Sequence, residues 1–223
     1  MLVFSAGEHE FTVPEEWSEI TLEKYAVFID AVNELQKKLK EDDNEDIGFY
    51  QIVLEYREYF NKLFHTFTGI EPSIIDRIKA DNIYTTYMYI MNFLKEPEYN
   101  KIDSFTFKKK KYYLPKSKVD YFGNEIEMAE ASFGEVVEAM QIQEMDKSFQ
   151  ENNFKVLPYQ IAMLCRRKGE DYNDQIVKER AEVFKDLPMD VVWQVAFFLI
   201  RQKQKSLKRL LQSLEEARAV KTD

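Results

Sequence analysis

The sequence is poor in the residues on which many fold classes and most enzymes depend. In 223 residues it holds one cysteine, two histidines, six glycines and six prolines. A lone Cys165 closes no intramolecular disulfide, so the fold needs no oxidising compartment. One cysteine and two distant histidines, His9 and His65, supply no closed zinc site. Scattered glycines leave no Gly-rich strand-to-helix turn to cradle a phosphate. Few turn residues also favour helices over a many-stranded sandwich. Long apolar runs are missing too. The richest, Val191 to Ile200, is half the ~20 residues that a membrane span requires, which predicts no membrane association. Residues 1–8 carry neither a basic start nor an apolar stretch, so the expectation is a cytoplasmic protein without a secretory signal.

What is abundant is bulk and charge. Seventeen Phe, thirteen Tyr and a 45% hydrophobic content exclude general disorder and predict a large aromatic core. Forty acidic against 31 basic residues, net −9, argue against whole-surface nucleic-acid binding. Two local segments run the other way. Lys108 to Lys111 lie beside Tyr112 and Tyr113, and Arg201, Lys203, Lys205, Lys208 and Arg209 follow the last apolar run. A basic run with adjacent aromatics could track a phosphate backbone. In an acidic chain the lysines read instead as a solvated edge that deters strand pairing, and DNA binding at physiological salt is expected to be negligible.

Periodicity predicts a mainly α protein, a multi-helix fold with two small β-hairpins. Residues 2–13 alternate around Gly7 and stop at Pro14, a hairpin. Thr21 is an N-cap for a helix striped by Leu22, Tyr25, Ile29, Val32, Leu35 and Leu39. A second helix is expected from Ile47 to Phe67 with Gly69 as its C-cap, then a short helix opened by Pro72. Ile83, Tyr87, Ile90 and Leu94 fit a helix, with a strand as the alternative. Phe105 to Leu114 read as the second hairpin. Helices are expected over 133–149, over 157–165 with a cap near Gly169, and around Ile176 to Phe184. A last helix starts at Asp186-Leu187-Pro188 and runs past Leu214. Each half, 1–98 and 99–223, then holds a hairpin and a group of helices, either as two units or as one continuous domain.

Chemistry is scarce. His65 lies among Phe64 and Phe67 and reads as a structural histidine. Cys165 precedes Arg166 and Arg167, which would lower a thiol pKa, but it shares an apolar stripe with Ile161 and Leu164 and reads as buried. The acidic run Glu41 to Asp46 offers Asp42, Asn44 and Asp46 at the first, third and fifth positions of a calcium loop. Ile47 stands where Gly is required and Val53 where Glu is required, so the register fails. No catalytic, cofactor or metal residue is assigned, and no cofactor is expected. The best candidate for partner binding is the seam Leu207, Leu210, Leu211 and Leu214, flanked by Lys, Arg and Glu.

The order of features resembles a family. Phe11-Thr12-Val13-Pro14-Glu15-Glu16-Trp17-Ser18-Glu19-Ile20-Thr21-Leu22 is similar to the opening of small tail assembly chaperone-like proteins of phages and prophages of Bacteroidetes-type hosts. Leu157-Pro158, Ala162 to Arg166 and Gly169 to Tyr172 resemble a second motif of those proteins. Glu179 to Phe184 with Leu187-Pro188-Met189 and Phe197-Phe198-Leu199 extend the likeness to about a third of the chain. The resemblance implies a non-enzymatic protein of the host cytoplasm that binds the long helical tape-measure protein until tail-tube subunits polymerise around it. It brings no catalytic residues. A structural virion component, a neck, tail or baseplate-hub subunit, is the alternative, and a nucleic-acid-associated phage regulator comes third. Homo-oligomerisation is left open.

Overall fold

The computed structural model describes residues 1–6, 9–44, 48–95, 97, 102–114, 118–119, 125–126 and 153–195. Helices dominate, with a minor β component, as the glycine-poor composition predicts. The first hairpin pairs β1 (Leu2–Ala6) with β2 (His9–Val13) in antiparallel register, Leu2 opposite Val13 and Phe4 opposite Phe11. Alternation sends Phe11 and Val13 into the core, and the Phe4 ring stacks on Phe11 at 5.5 Å.

A 3-10 turn at Trp17–Glu19 leads into α1 (Leu22–Glu41). Thr21 is its N-cap, with Oγ1 accepting the Lys24 backbone N–H at 3.2 Å. Of the predicted stripe, Leu22, Tyr25, Val32 and Leu35 are buried, while Ile29 and Leu39 are half-buried. Ala26, Phe28 and Ala31 widen the buried face, because α1 packs against two neighbours rather than one.

The single helix expected over 47–67 is two helices. α2 (Phe49–Glu55) and α3 (Arg57–Thr68) meet at Tyr56, whose φ of −119° and ψ of 33° leave the helical region. The buried Tyr56 donates its hydroxyl to Asp42 Oδ2 at 3.1 Å and accepts from Asn44 Nδ2 at 2.9 Å. That tether to the loop after α1 holds the break. Apolar spacing stays in phase across it, so periodicity does not register it. Gly69 caps α3 at φ 77°, as expected. α4 (Pro72–Ile75) follows, then α5 (Ala80–Asn92), which is helix and not strand and buries Ile83, Thr86 and Ile90.

The second hairpin pairs β3 (Ser104–Phe107) with β4 (Lys110–Tyr113). A third, two-residue ladder of β5 (Lys118–Val119) and β6 (Glu125–Ile126) is one that the alternation pattern did not predict. The helix expected over 133–149 lies outside the described residues. A 3-10 turn at Asn153–Lys155, α6 (Leu157–Leu164), α7 (Asp174–Phe184) and helical residues 189–195 complete the described chain. Gly169 is not the cap of α6. The helix ends at Cys165 in extended backbone, and Gly169 sits in the following turn at φ 73°.

Both parts of the sequence feed one apolar core. The Leu22 N–H donates to Leu187 O and the Met189 N–H to Ile20 O, each at 2.8 Å, so the start of α1 is stitched to the chain around Pro188. Trp17 stands edge-on to Tyr25, Phe93 and Trp193 at 5.4, 4.9 and 5.4 Å, and Tyr25 meets Phe154 at 4.7 Å. Among the described residues, no helix is long and apolar enough to cross a membrane.

Candidate interaction surface

Among the described residues, His65, Cys165, Asp42 and Asn44, which the sequence offered for chemistry, are packed or paired. His65 bonds the Ile70 carbonyl through Nδ1 at 2.8 Å, and since a carbonyl only accepts, Nδ1 holds the proton. Cys165 is fully buried, and that burial pushes its thiol up to about 12, although the Arg180 charge opposes the rise. Asp42 Oδ1 accepts from Lys38 Nζ at 2.8 Å, a bond that holds its carboxyl below the usual range. Asn44 spends its amide on Tyr56. Among the described residues no three His, Cys, Asp or Glu side chains converge to hold a metal. A shallow cleft of about 270 Å³, lined by Glu34, Lys37, Lys38, Glu41 and Tyr59, mixes both signs of charge.

One buried charge organises the second part of the chain. Arg180, on α7, donates Nη1 to the Ala162 and Cys165 carbonyls at 3.0 and 2.9 Å. These are carbonyls at the α6 C-terminus, where a cation is favoured. Nη2 pairs with Glu170, which also accepts from Arg167 Nε at 2.8 Å, and the guanidinium lies 5.6 Å from the centre of the Tyr112 ring. One side chain therefore ties α6, the turn after it and β4 together. The residues that carry the family resemblance have packing duties of the same kind. Val13 and Ile20 are buried, Thr21 caps α1, Trp17 heads the ring cluster, and Glu170 and Arg180 form this node.

Among the described residues, two surfaces stand out. The first is apolar. Tyr50 and Leu54 on α2 are 72% and 79% exposed, and Tyr84 and Met88 on α5 are also exposed. The half-buried Phe49 joins them, its ring 5.3 Å from both Tyr50 and Tyr84 and 4.9 Å from Tyr87. Each helix contributes an i, i+4 pair, so the patch offers two apolar ridges on either side of a ring. Sequence reading missed it by following the core stripe through Val53 and Tyr56. The signal was there in Tyr50 and Leu54, a second apolar pair off that stripe.

The second surface is basic. An isolated antiparallel bridge joins Tyr113 to Arg166, with N–O distances of 2.8 and 3.3 Å. It sets the end of the strand that carries Lys110 and Lys111 against Arg166, the first residue of the Arg166-Arg167-Lys168 run, a juxtaposition with no sequence signal. Lys108 pairs with Asp186 at 2.7 Å. The predicted seam Leu207, Leu210, Leu211 and Leu214 lies outside the described residues. No protein-family model matches the sequence, and no curated protein or solved structure is significantly similar to it.

Proposed function

We propose that this is a non-enzymatic phage protein that assists tail assembly by binding the tape-measure protein as a chaperone. The observation that carries the reading is the exposed patch of Phe49, Tyr50, Leu54, Tyr84 and Met88. Among the described residues Tyr50 and Tyr84 are the exposed aromatics, the others being buried or half-buried, and exposed apolar area of this kind serves a partner. Paired ridges flanking a ring fit the apolar stripe of an amphipathic helix, whose anchors recur at three- and four-residue steps. A tape-measure protein presents such stripes along its length. The sequence resemblance at Phe11 to Leu22 and at Leu157 to Tyr172 supports the same family of client. In this reading the leucines at 207, 210, 211 and 214 supply a second contact.

Co-expression with the tape-measure protein tests the reading. The wild-type chain is expected to keep the client in the soluble fraction, and Tyr50→Glu/Leu54→Glu to lose most of that effect while remaining folded. Each buried charge would cost several kcal/mol at an apolar contact. Equal client solubility with and without the double substitution would remove the patch from the account.

A further inference from the structure

The basic surface is independent of the apolar one and takes a different partner. We propose that the tip of the second hairpin and the turn after α6 form a docking site for a short acidic segment of a partner protein. The cations are Lys109, Lys110, Lys111 and Lys168, all exposed and with no ion pair among the described residues. Their placement follows from the Tyr113–Arg166 bridge. Because it is antiparallel, moving back along β4 from Tyr113 to Lys111 runs in the same direction as moving forward from Arg166 to Lys168. Both lysine-bearing runs therefore leave the bridge in the same direction.

Local strain points to use rather than to folding. Phe107 pairs with Lys110, so Lys108 and Lys109 are the two residues of the hairpin turn, and their φ values are 45° and 65°. A two-residue turn with both centres left-handed favours Asn-Gly, and a lysine there is held at conformational cost. Four adjacent like charges add repulsion. Edge protection fits Lys110 and Lys111 on β4 but not Lys108 and Lys109, which lie in the turn. Costs kept at an exposed tip are characteristic of binding sites.

The neighbourhood favours carboxylates over nucleic acid. The carboxylates of Asp186 and Glu170 already meet Lys108 and Arg167 on this face. Lys111 lies over the Tyr113 ring and Arg166 over the Tyr172 ring, at 5.3 and 5.6 Å, so these rings hold cations in place. A duplex carries one charge per ~1.7 Å and would extend well past the tip, setting its phosphates against a chain of net −9. A segment with a few carboxylates covers the lysines and stops.

An NMR titration of the full chain with octaglutamate, beside a DNA duplex two helical turns long, tests this. The peptide should give saturable shifts confined to residues 106–113 and 166–169. Lys109→Glu/Lys110→Glu/Lys111→Glu should weaken it about tenfold, whereas Arg77→Glu/Lys79→Glu/Lys95→Glu, an equal charge change elsewhere, should alter it by less than about twofold. The corresponding triple Gln variant, which keeps the tip without reversing its charge, should show an intermediate loss with an otherwise native spectrum. Diffuse shifts over all lysines, no shifts, or equal loss in both charge reversals would overturn the proposal. Tighter binding of the duplex through the same residues would overturn it in favour of nucleic acid.

Discussion

At the residue scale, His65 and Cys165 are taken up in packing and hydrogen bonding. Cys165 shows this with a measurable sign. Its thiol has an ordinary value of 9.0 and rises to about 12 in the fold because burial excludes the thiolate. Above about pH 9 the unfolded chain ionises while the folded one does not, so the unfolded state binds fewer protons and stability falls as pH rises. The loss between pH 9 and pH 10 should be about 1 kcal/mol. Urea unfolding of wild type against Cys165→Ala should show the difference between the two drifting by that amount, against the wild type. A constant difference would mean that the thiol ionises in the native state. Sequence alone set Arg166 and Arg167 against the apolar stripe, and the stripe won because complete burial of Cys165 outweighs the opposing charge, which comes from Arg180.

At the element scale, what was legible had local causes. Thr21, Gly69 and the alternation in both hairpins act through their own turn or strand, and each stands where its residue type predicts. What was not legible depends on distant partners. The break at Tyr56 exists because its hydroxyl reaches Asp42 and Asn44, and α6, which spans the residues its stripe predicts, is closed not at Gly169 but by Arg180, fifteen residues beyond Cys165, which takes the terminal carbonyls. The basic surface likewise depends on a bridge between Tyr113 and Arg166. The hairpin tip gives the element its own test. Lys108→Asn/Lys109→Gly fits the left-handed turn and should stabilise the chain by about 1 kcal/mol in urea unfolding, net of the exposed Lys108–Asp186 pair. Destabilisation would show that the lysines contribute to the fold and weaken the case that they are kept for a partner.

At the scale of the whole molecule, the ring cluster decides how the chain unfolds. Trp17 and Trp193 are the two tryptophans, they come from opposite ends of the described sequence, and their rings lie 5.4 Å apart. With the Leu22–Leu187 and Ile20–Met189 hydrogen bonds beside them, the two parts should unfold together. Single-tryptophan variants, Trp17→Phe and Trp193→Phe, should therefore each show one fluorescence transition that coincides with its own loss of far-ultraviolet circular dichroism. A transition seen by one ring well before the other would divide the chain into separately folding units.

Binding through the exposed apolar patch and the strained basic tip, as proposed, would suit a molecule that assists assembly and then leaves. The proposed chaperone role is tested most directly by quantitative mass spectrometry of purified mature phage particles alongside the lysate that produced them. The account predicts the protein in the lysate and its absence, relative to tail-tube and tape-measure subunits, from the particles. Stoichiometric presence in the mature particle would contradict it and make the protein a virion component.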